Sequence, residues 1–222
     1  MSYQPDEYKH VNYLWDDAVA DKLDPVENLV YRSNKLGEDQ RITNTGGGNT
    51  SAKLIEKDPL TGEKVEVLWV KGSGGDLRTS KKENFSSLYS GKLQALDKVY
   101  QNYTDKGYKS AGEDRMVGMF THCNFCLNPR ASSIDTPLHG FLPFAHIDHL
   151  HPDAAIAIAA AKDGAKITEE LFDGEIGWVG WQRPGFDLGL QLRACLEEAA
   201  QNGKQLRGIM LGSHGLFTWG DT

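Results

Sequence analysis

The sequence predicts a layered fold of mixed helix and strand, either α+β or an α/β/α sandwich, and three observations carry that expectation. Val- and Ile-rich segments bounded by glycines fill the first third. A polar, helix-like stretch fills the middle, and an apolar segment, RGIMLGSHGLFTWG, comes last. The 222 residues are enough for one well-buried domain. No apolar run approaches the roughly 18 residues that a membrane span needs. The opening, MSYQPDEYKHVNYLWDD, is acidic and aromatic, unlike the basic and then apolar start of a secretory signal. A net charge of −7 argues against nucleic acid as the main partner. The expected setting is therefore the cytoplasm, with no membrane partner.

The first regular element is DPVENLVYRSNKLG at 24–37, read as a helix. Asp24 can accept from the free N–H groups of the first turn, Pro25 suits a position with no N–H to offer, and Glu27 can complete a capping box. Gly37 is placed to end it. QRITNTGGGNTSAKLIEKD and KVEVLWVKGSGGD read as two strands joined by a DPLTG turn. The stretch from about 80 to 128 reads as mostly helical, and SSIDTPLHGFLPF as another short helix. HIDHLH reads as the end of a strand, after which Pro152 and Asp153 open an alanine-rich helix, DAAIAIAAAKDG. A further helix is expected over 187–201 and a single strand over RGIMLGSHGLFTWG. With two residues after Gly220, nothing is expected to cover that strand, so the C-terminus reads as cut short or completed by a partner. Cys123 and Cys126 form one C-x-x-C, short of the two pairs that a structural zinc site uses. All three cysteines are expected to be reduced structural thiols.

Three of the seven histidines fall in HIDHLH. Along a strand, residues two apart share a face and residues three apart do not. His149 and His151 therefore point together, as two imidazoles on one metal would, and His146 points to the other face. A catalytic zinc site takes a third protein ligand and keeps one position open. His10, His122, His139 and His214 are the candidates, with His214 the most constrained by its apolar surroundings. TGGGNTSAK at 45–53 and VKGSGGDL at 70–77 are glycine runs whose N–H groups can approach an anion. ASSIDTPLH at 131–139 adds two hydroxyls beside a carboxylate. Together the three stretches suggest a phosphate-sized pocket and chemistry on a phosphorylated small molecule.

The pieces GGGNTS, GSG, SSIDTPLH, HLHPDA and SHGLFTWG, in this order over about 46–220, resemble the class II (metal-dependent) aldolase/adducin family. Within it the chain is most similar to the aldolase half of bifunctional rhamnulose-1-phosphate aldolase/short-chain dehydrogenase proteins, and no dinucleotide fingerprint marks a dehydrogenase half. The resemblance implies a three-layer α/β/α sandwich around a largely antiparallel central sheet, and a homotetramer with active sites between subunits. It also implies a divalent metal, zinc first, on His149, His151 and His214. The family's phosphate-binding residues fall on Gly48, Asn49, Ser73, Gly74, Ser132 and Ser133, and its catalytic glutamate on Asp135. The reaction implied is cleavage of a ketose 1-phosphate to dihydroxyacetone phosphate and a short aldehyde, lactaldehyde for a 6-deoxy sugar. Related metal chemistry (decarboxylation or epimerisation) and a non-catalytic, adducin-like binding role are the alternatives.

The match has two departures. Asp135 is one methylene shorter than glutamate, which changes its reach by roughly an ångström, enough to alter a rate set by geometry. In GWVGWQRPGF, Trp181 stands where the family's aldolases carry a proton-donating tyrosine. An indole N–H donates a hydrogen bond but has no accessible acid pKa.

Overall fold

The computed structural model describes residues 11–104 and 109–222. A single turn, α1 (Asp17–Ala20), is capped by the Asp16 side chain. α2 (Pro25–Glu38) starts as its sequence predicts. Asp24 accepts from the N–H groups of Val26 and Glu27, and Glu27 accepts in return from the N–H of Asp24. A side-chain cap of this kind contributes about 1 kcal/mol. Gly37 does not end the helix. It lies within it, where a Cβ would collide with the backbone of Leu77 and Arg78, so its value is to let that segment cross closely.

β1 (Asn49–Lys57) and β2 (Lys64–Lys71) form the expected antiparallel hairpin, with Ser51 opposite Val70 and Lys57 opposite Lys64. Its turn is fastened by Asp58. The Tyr89 hydroxyl and the N–H groups of Thr61 and Leu60 all donate to this carboxylate and hold its pKa at about 2. The strand predicted from Gln40 starts only at Asn49, because turns occupy the residues before it.

β3 (Phe85–Tyr89) interrupts the stretch read as helical. FSSLY is buried almost throughout, so it lacks the polar alternation that marks a strand. The helices expected there follow as α3 (Ser90–Thr104) and α4 (Lys109–Met119), then α5 (Thr136–Phe141) in the SSIDTPLH stretch. β4 (His146–Leu150) leads through Pro152 into α6 (Asp153–Ala160). α7 (Gly164–Phe172) and β5 (Ile176–Val179) were not anticipated, and α8 (Phe186–Gln201) was. The last segment is two strands, β6 (Gly208–Leu211) and β7 (Gly215–Gly220), and not one. Ser213 takes a positive φ of 57° in the turn between them, and Leu211 pairs with Gly215.

The seven strands form one sheet in the order β3-β2-β1-β4-β7-β6-β5, antiparallel except between β5 and β6. β7 therefore lies between β4 and β6, and the strand expected to be uncovered is flanked on both sides. α3, α4, α5 and α8 pack on one face, and α2, α6 and α7 on the other, giving three layers. Leu138, Ile147, Leu192, Ile209 and Phe217, none of them accessible to solvent, join α5 and α8 to the sheet. Burying each contributes about 1.5–3 kcal/mol before the entropy of ordering is charged against it. Among the described residues no helix is long and apolar enough to cross a membrane, and the three cysteines are free thiols.

Candidate functional site

β4 sets the histidines by alternation. Ile147 and His149 point into the α5/α8 layer, while His146 and Asp148 point toward α2. His149 is wholly buried, its ring stacked on Phe217 with centroids 4.4 Å apart. His151 lies one residue past the strand, and His214 ends the turn between β6 and β7. The three Nε2 atoms converge, with His149 3.1 Å from His151 and 3.2 Å from His214. Gly215 makes the approach possible, since a Cβ there would sit 2.7 Å from the His151 ring and 3.2 Å from the His149 ring.

The donor set fits a divalent metal. His149 Nδ1 lies 3.2 Å from the Leu216 carbonyl, which can only accept, so the proton sits on Nδ1 and the Nε2 lone pair faces its two neighbours. Three nitrogens each about 2.0–2.1 Å from one tetrahedral ion stand about 3.3 Å apart, close to the spacing seen. Burial pushes all three imidazoles below their ordinary pKa range, His149 well below it, so they favour the neutral form that a metal ligand requires. One ligand atom from each falls within a 4.8 Å cluster.

Asp135 stands beside this cluster, near enough for its charge to raise both His151 and His214. Its Oδ2 accepts from Asn49 Nδ2 at 2.8 Å, with Ser133 Oγ at 3.5 Å. Its Oδ1 is buried and has no hydrogen-bond partner among the described residues. A buried carboxylate oxygen left bare is costly, and a ligand or a metal would satisfy it.

The segments read as a phosphate cradle lie side by side. Gly48, at φ +76°, precedes Asn49, and a Cβ on it would press against the His149 carbonyl. Ser133 is buried and Ser132 half-buried just before Asp135, while Ser73 and Gly74 are exposed on their loop. Arg130 donates to the Ser73 carbonyl, and Gly72 abuts Ala131, so the two loops touch. Asn49 has both polar atoms of its side chain engaged, Nδ2 with Asp135 and Oδ1 with His139, leaving one amide hydrogen to offer.

Two cations here, Lys71 and Arg130, escaped the sequence reading. Lys71 is 2% exposed, and its Nζ donates to the carbonyls of Gly74 and Gly72, with no carboxylate paired to it among the described residues. Burial, and then the Arg130 charge, lower its pKa. A cation in so dry a place, next to a glycine loop, favours an anion nearby. A lysine before a glycine run was the available signal.

The remaining candidates fall elsewhere. His146 accepts from Arg32 at 2.7 Å on the far face, as strand parity predicts. His122 is exposed, and His139 is buried against Ser51 and Asn49, so neither joins the triad. His10 lies outside the described residues. Trp181 is 66% exposed, and its backbone N–H borders Gly212, two residues before His214.

Comparison with known proteins gives a consistent picture. The profile described as Class II Aldolase and Adducin N-terminal domain matches residues 27–222. An uncharacterized oxidoreductase, YuxG, of Bacillus subtilis (strain 168) is 41% identical over 213 residues. That match takes in 96% of this chain but 29% of YuxG, so the chain spans less than a third of that curated relative. The N-terminal class II aldolase domain of a conserved protein from Thermoplasma acidophilum superposes with a TM-score of 0.74 at 26% identity, covering 100% of this chain and 91% of that one. An L-fuculose 1-phosphate aldolase shares the fold at a TM-score of 0.53 and 14% identity, over 89% of this chain and 75% of its own.

Proposed function

The chain belongs to the class II aldolase and adducin family, and from that premise we propose that it cleaves a ketose 1-phosphate of the rhamnulose 1-phosphate type. The products are dihydroxyacetone phosphate and a short aldehyde such as lactaldehyde. The observation that carries this reading is the convergence of His149, His151 and His214 beside the bare oxygen of Asp135. A divalent metal, zinc first, held by the three imidazoles supplies Lewis-acid stabilisation of the negative charge that develops as the C3–C4 bond breaks.

The residues of the chain divide the rest of the work. The N–H groups of the Gly48 and Gly74 loops and the hydroxyls of Ser73, Ser132 and Ser133 bind the phosphate, with Lys71 and Arg130 balancing its charge. Anchoring that end orients C3 and C4, which turns a loose encounter into a fixed geometry. As the C4 hydroxyl loses its proton and C4 becomes the aldehyde carbon, the bonding pair stays with C3. Asp135, ionised at the start, takes that C4 hydroxyl proton and returns it to C3, so the step balances with no external oxidant or reductant. Trp181 donates a hydrogen bond that positions the aldehyde oxygen. Its exposure beside the His214 turn suits a fourfold tetramer with sites shared between subunits. The setting in keeping with these metabolites is the cytoplasm.

Trp181 also favours a second reading. Without a tyrosine to protonate the aldehyde oxygen, the same centre fits metal-dependent decarboxylation or epimerisation of a related sugar acid or keto-sugar. Three convergent ligands speak against a purely adducin-like binding role. The name of YuxG describes that whole protein, of which this chain matches 29%.

The test is release of dihydroxyacetone phosphate from rhamnulose 1-phosphate by zinc-loaded protein, followed by coupled NADH oxidation. Turnover abolished by chelation and restored by zinc is expected. No turnover with the native chain, together with turnover gained in Trp181→Tyr, would give the natural reaction to the second reading.

A further inference from the structure

Three side chains form a file of hydrogen bonds that ends on Asp135. Ser51 Oγ lies 2.8 Å from His139 Nδ1, His139 Nε2 meets Asn49 Oδ1, and Asn49 Nδ2 donates to Asp135 Oδ2 at 2.8 Å. Ser51, His139 and Asn49 are 1%, 0% and 6% exposed, so they are shielded from bulk solvent and bond to one another. The direction of the file follows from its ends. An ionised carboxylate only accepts, so Asn49 turns its amino group to Asp135 and its carbonyl to His139. That carbonyl needs a donor, which places the ring proton on Nε2. Nδ1 is then bare and takes the Ser51 hydroxyl proton at 2.8 Å, in preference to the Ile147 carbonyl at 3.3 Å. Reversing either the amide or the tautomer sets lone pair against lone pair in a dry site, which is costly.

We propose that His139 is a positioning residue: its neutral Nε2–H tautomer locks the Asn49 amide, which holds Asp135 by Oδ2 and leaves Oδ1 free for the reaction. The ring is kept neutral by burial, then by the nearby Lys53 and Arg32 charges, which together hold its pKa at about 3. Phe217 ties this file to the metal ligands. One side of its ring stacks on His149, and His139 meets it edge-on at 5.4 Å. Residues from β1, α5 and β7 thus fix the acid and the histidine triad against one another.

The tautomer is read directly from long-range 1H–15N spectra of histidine-labelled protein. The Nε2–H pattern is expected for His139, unchanged between pH 8 and pH 5. An Nδ1–H or imidazolium pattern would overturn the proposal. The kinetic consequence rests on the aldolase reading. His139→Phe keeps the volume without the donor, and His139→Gln keeps a donor for Asn49. With zinc affinity within about threefold of wild type, kcat should fall about 100-fold in the Phe variant at little-changed KM, and Gln should recover about tenfold of that. Equal kcat in all three proteins, or Gln no better than Phe, counts against it. If the Phe variant does not fold, Ser51→Ala serves, with a mixed tautomer and kcat lowered about tenfold. Should wild type cleave no ketose 1-phosphate, the aldolase reading falls while the spectrum still decides the role of His139.

Discussion

The two faces of β4 use the same side chain in opposite ways. On one face His149 donates from Nδ1 to the Leu216 carbonyl and stacks on an aromatic ring, and its Nε2 lone pair points at His151 and His214. On the other face, three residues earlier, His146 accepts from Arg32, which also bonds Asp148 and the Ser51 carbonyl. Burial lowers the pKa of both histidines. What separates them is the company supplied by other elements. α2 brings a cation that fills the His146 lone pair, whereas the β6–β7 turn brings another ligand that leaves the His149 lone pair open. A face fit for a metal and a structural face arise from one strand because the partners differ.

The largest expected effect lies in that contrast. His214→Ala should lower zinc affinity on the order of 10³-fold, beyond the loss of about 10–100-fold typical when a supporting partner is removed. His146→Ala should leave zinc affinity within about threefold, as expected of a residue that ligates nothing. Metal content after dialysis, with a competitive chelator titration, reads both. Equal loss in the two variants would break the distinction between the faces.

Next in size is the structural face itself. Arg32 and Asp148 form an ion pair at 3.0 Å with each side chain 18% exposed. Arg32→Met leaves Asp148 without its cation and should cost about 2–3 kcal/mol, somewhat under the figure for a fully buried pair. Burial already raises the Asp148 pKa against the lowering by Arg32, and losing Arg32 raises it further. A carboxyl whose folded pKa exceeds its unfolded value stabilises the fold as pH falls. The deficit relative to wild type should therefore shrink between pH 8 and pH 5 in urea titrations. A deficit independent of pH would mean that Asp148 is not the group left unpaired.

Much of this contrast was legible in the sequence, and its limits are physical. Strand parity separated His146 from His149 and His151, because alternation is a local property of the backbone. The Asp24–Glu27 capping box was legible for the same reason. Gly37 was misread because nothing local reveals that Arg78 crosses there. The final strand was read as continuous because apolar residues run through Gly212 and Ser213, and only the positive φ of Ser213 turns the chain. His214 came from family resemblance, since its partner His149 is 65 residues away. The His139–Asn49 contact spans 90 residues, and no periodicity can report it.

A smaller effect tests how tightly the metal face is built. Gly215→Ala puts a methyl group into the space used by the His151 and His149 rings. A Cβ there would also sit 2.8 Å from the Leu150 carbonyl, a backbone atom that cannot swing aside, so stability should fall by about 1–2 kcal/mol while the rings move by several tenths of an ångström. Zinc affinity should drop about tenfold, comparable to disturbing a ligand's support. An unchanged affinity would show that the ligands have slack, and the contrast with the Arg32 face would then rest on chemistry alone.

The smallest effect near neutral pH concerns protons. His139 is held neutral at a pKa of about 3 and has an ordinary value near 6.5. A depressed folded pKa gives stability that is complete above the unfolded value and lost as pH falls toward the folded one. In chelator-treated protein, where no metal competes with protons, the loss from this residue should begin below pH 6.5 and continue to about pH 3. At pH 6 it amounts to less than about 1 kcal/mol, since the unfolded ring is then only partly protonated. His139→Gln cannot titrate, so its stability should fall less steeply than wild type over that window once the two are matched at pH 8. His146→Gln serves as the control from the opposite face, where Arg32 and partial burial also disfavour the charged ring. If both substitutions flatten the acid limb equally, the buried side gains nothing special from its hydrogen-bond file. A larger flattening by His139→Gln would mean that the metal face is the acid-labile half of the sheet.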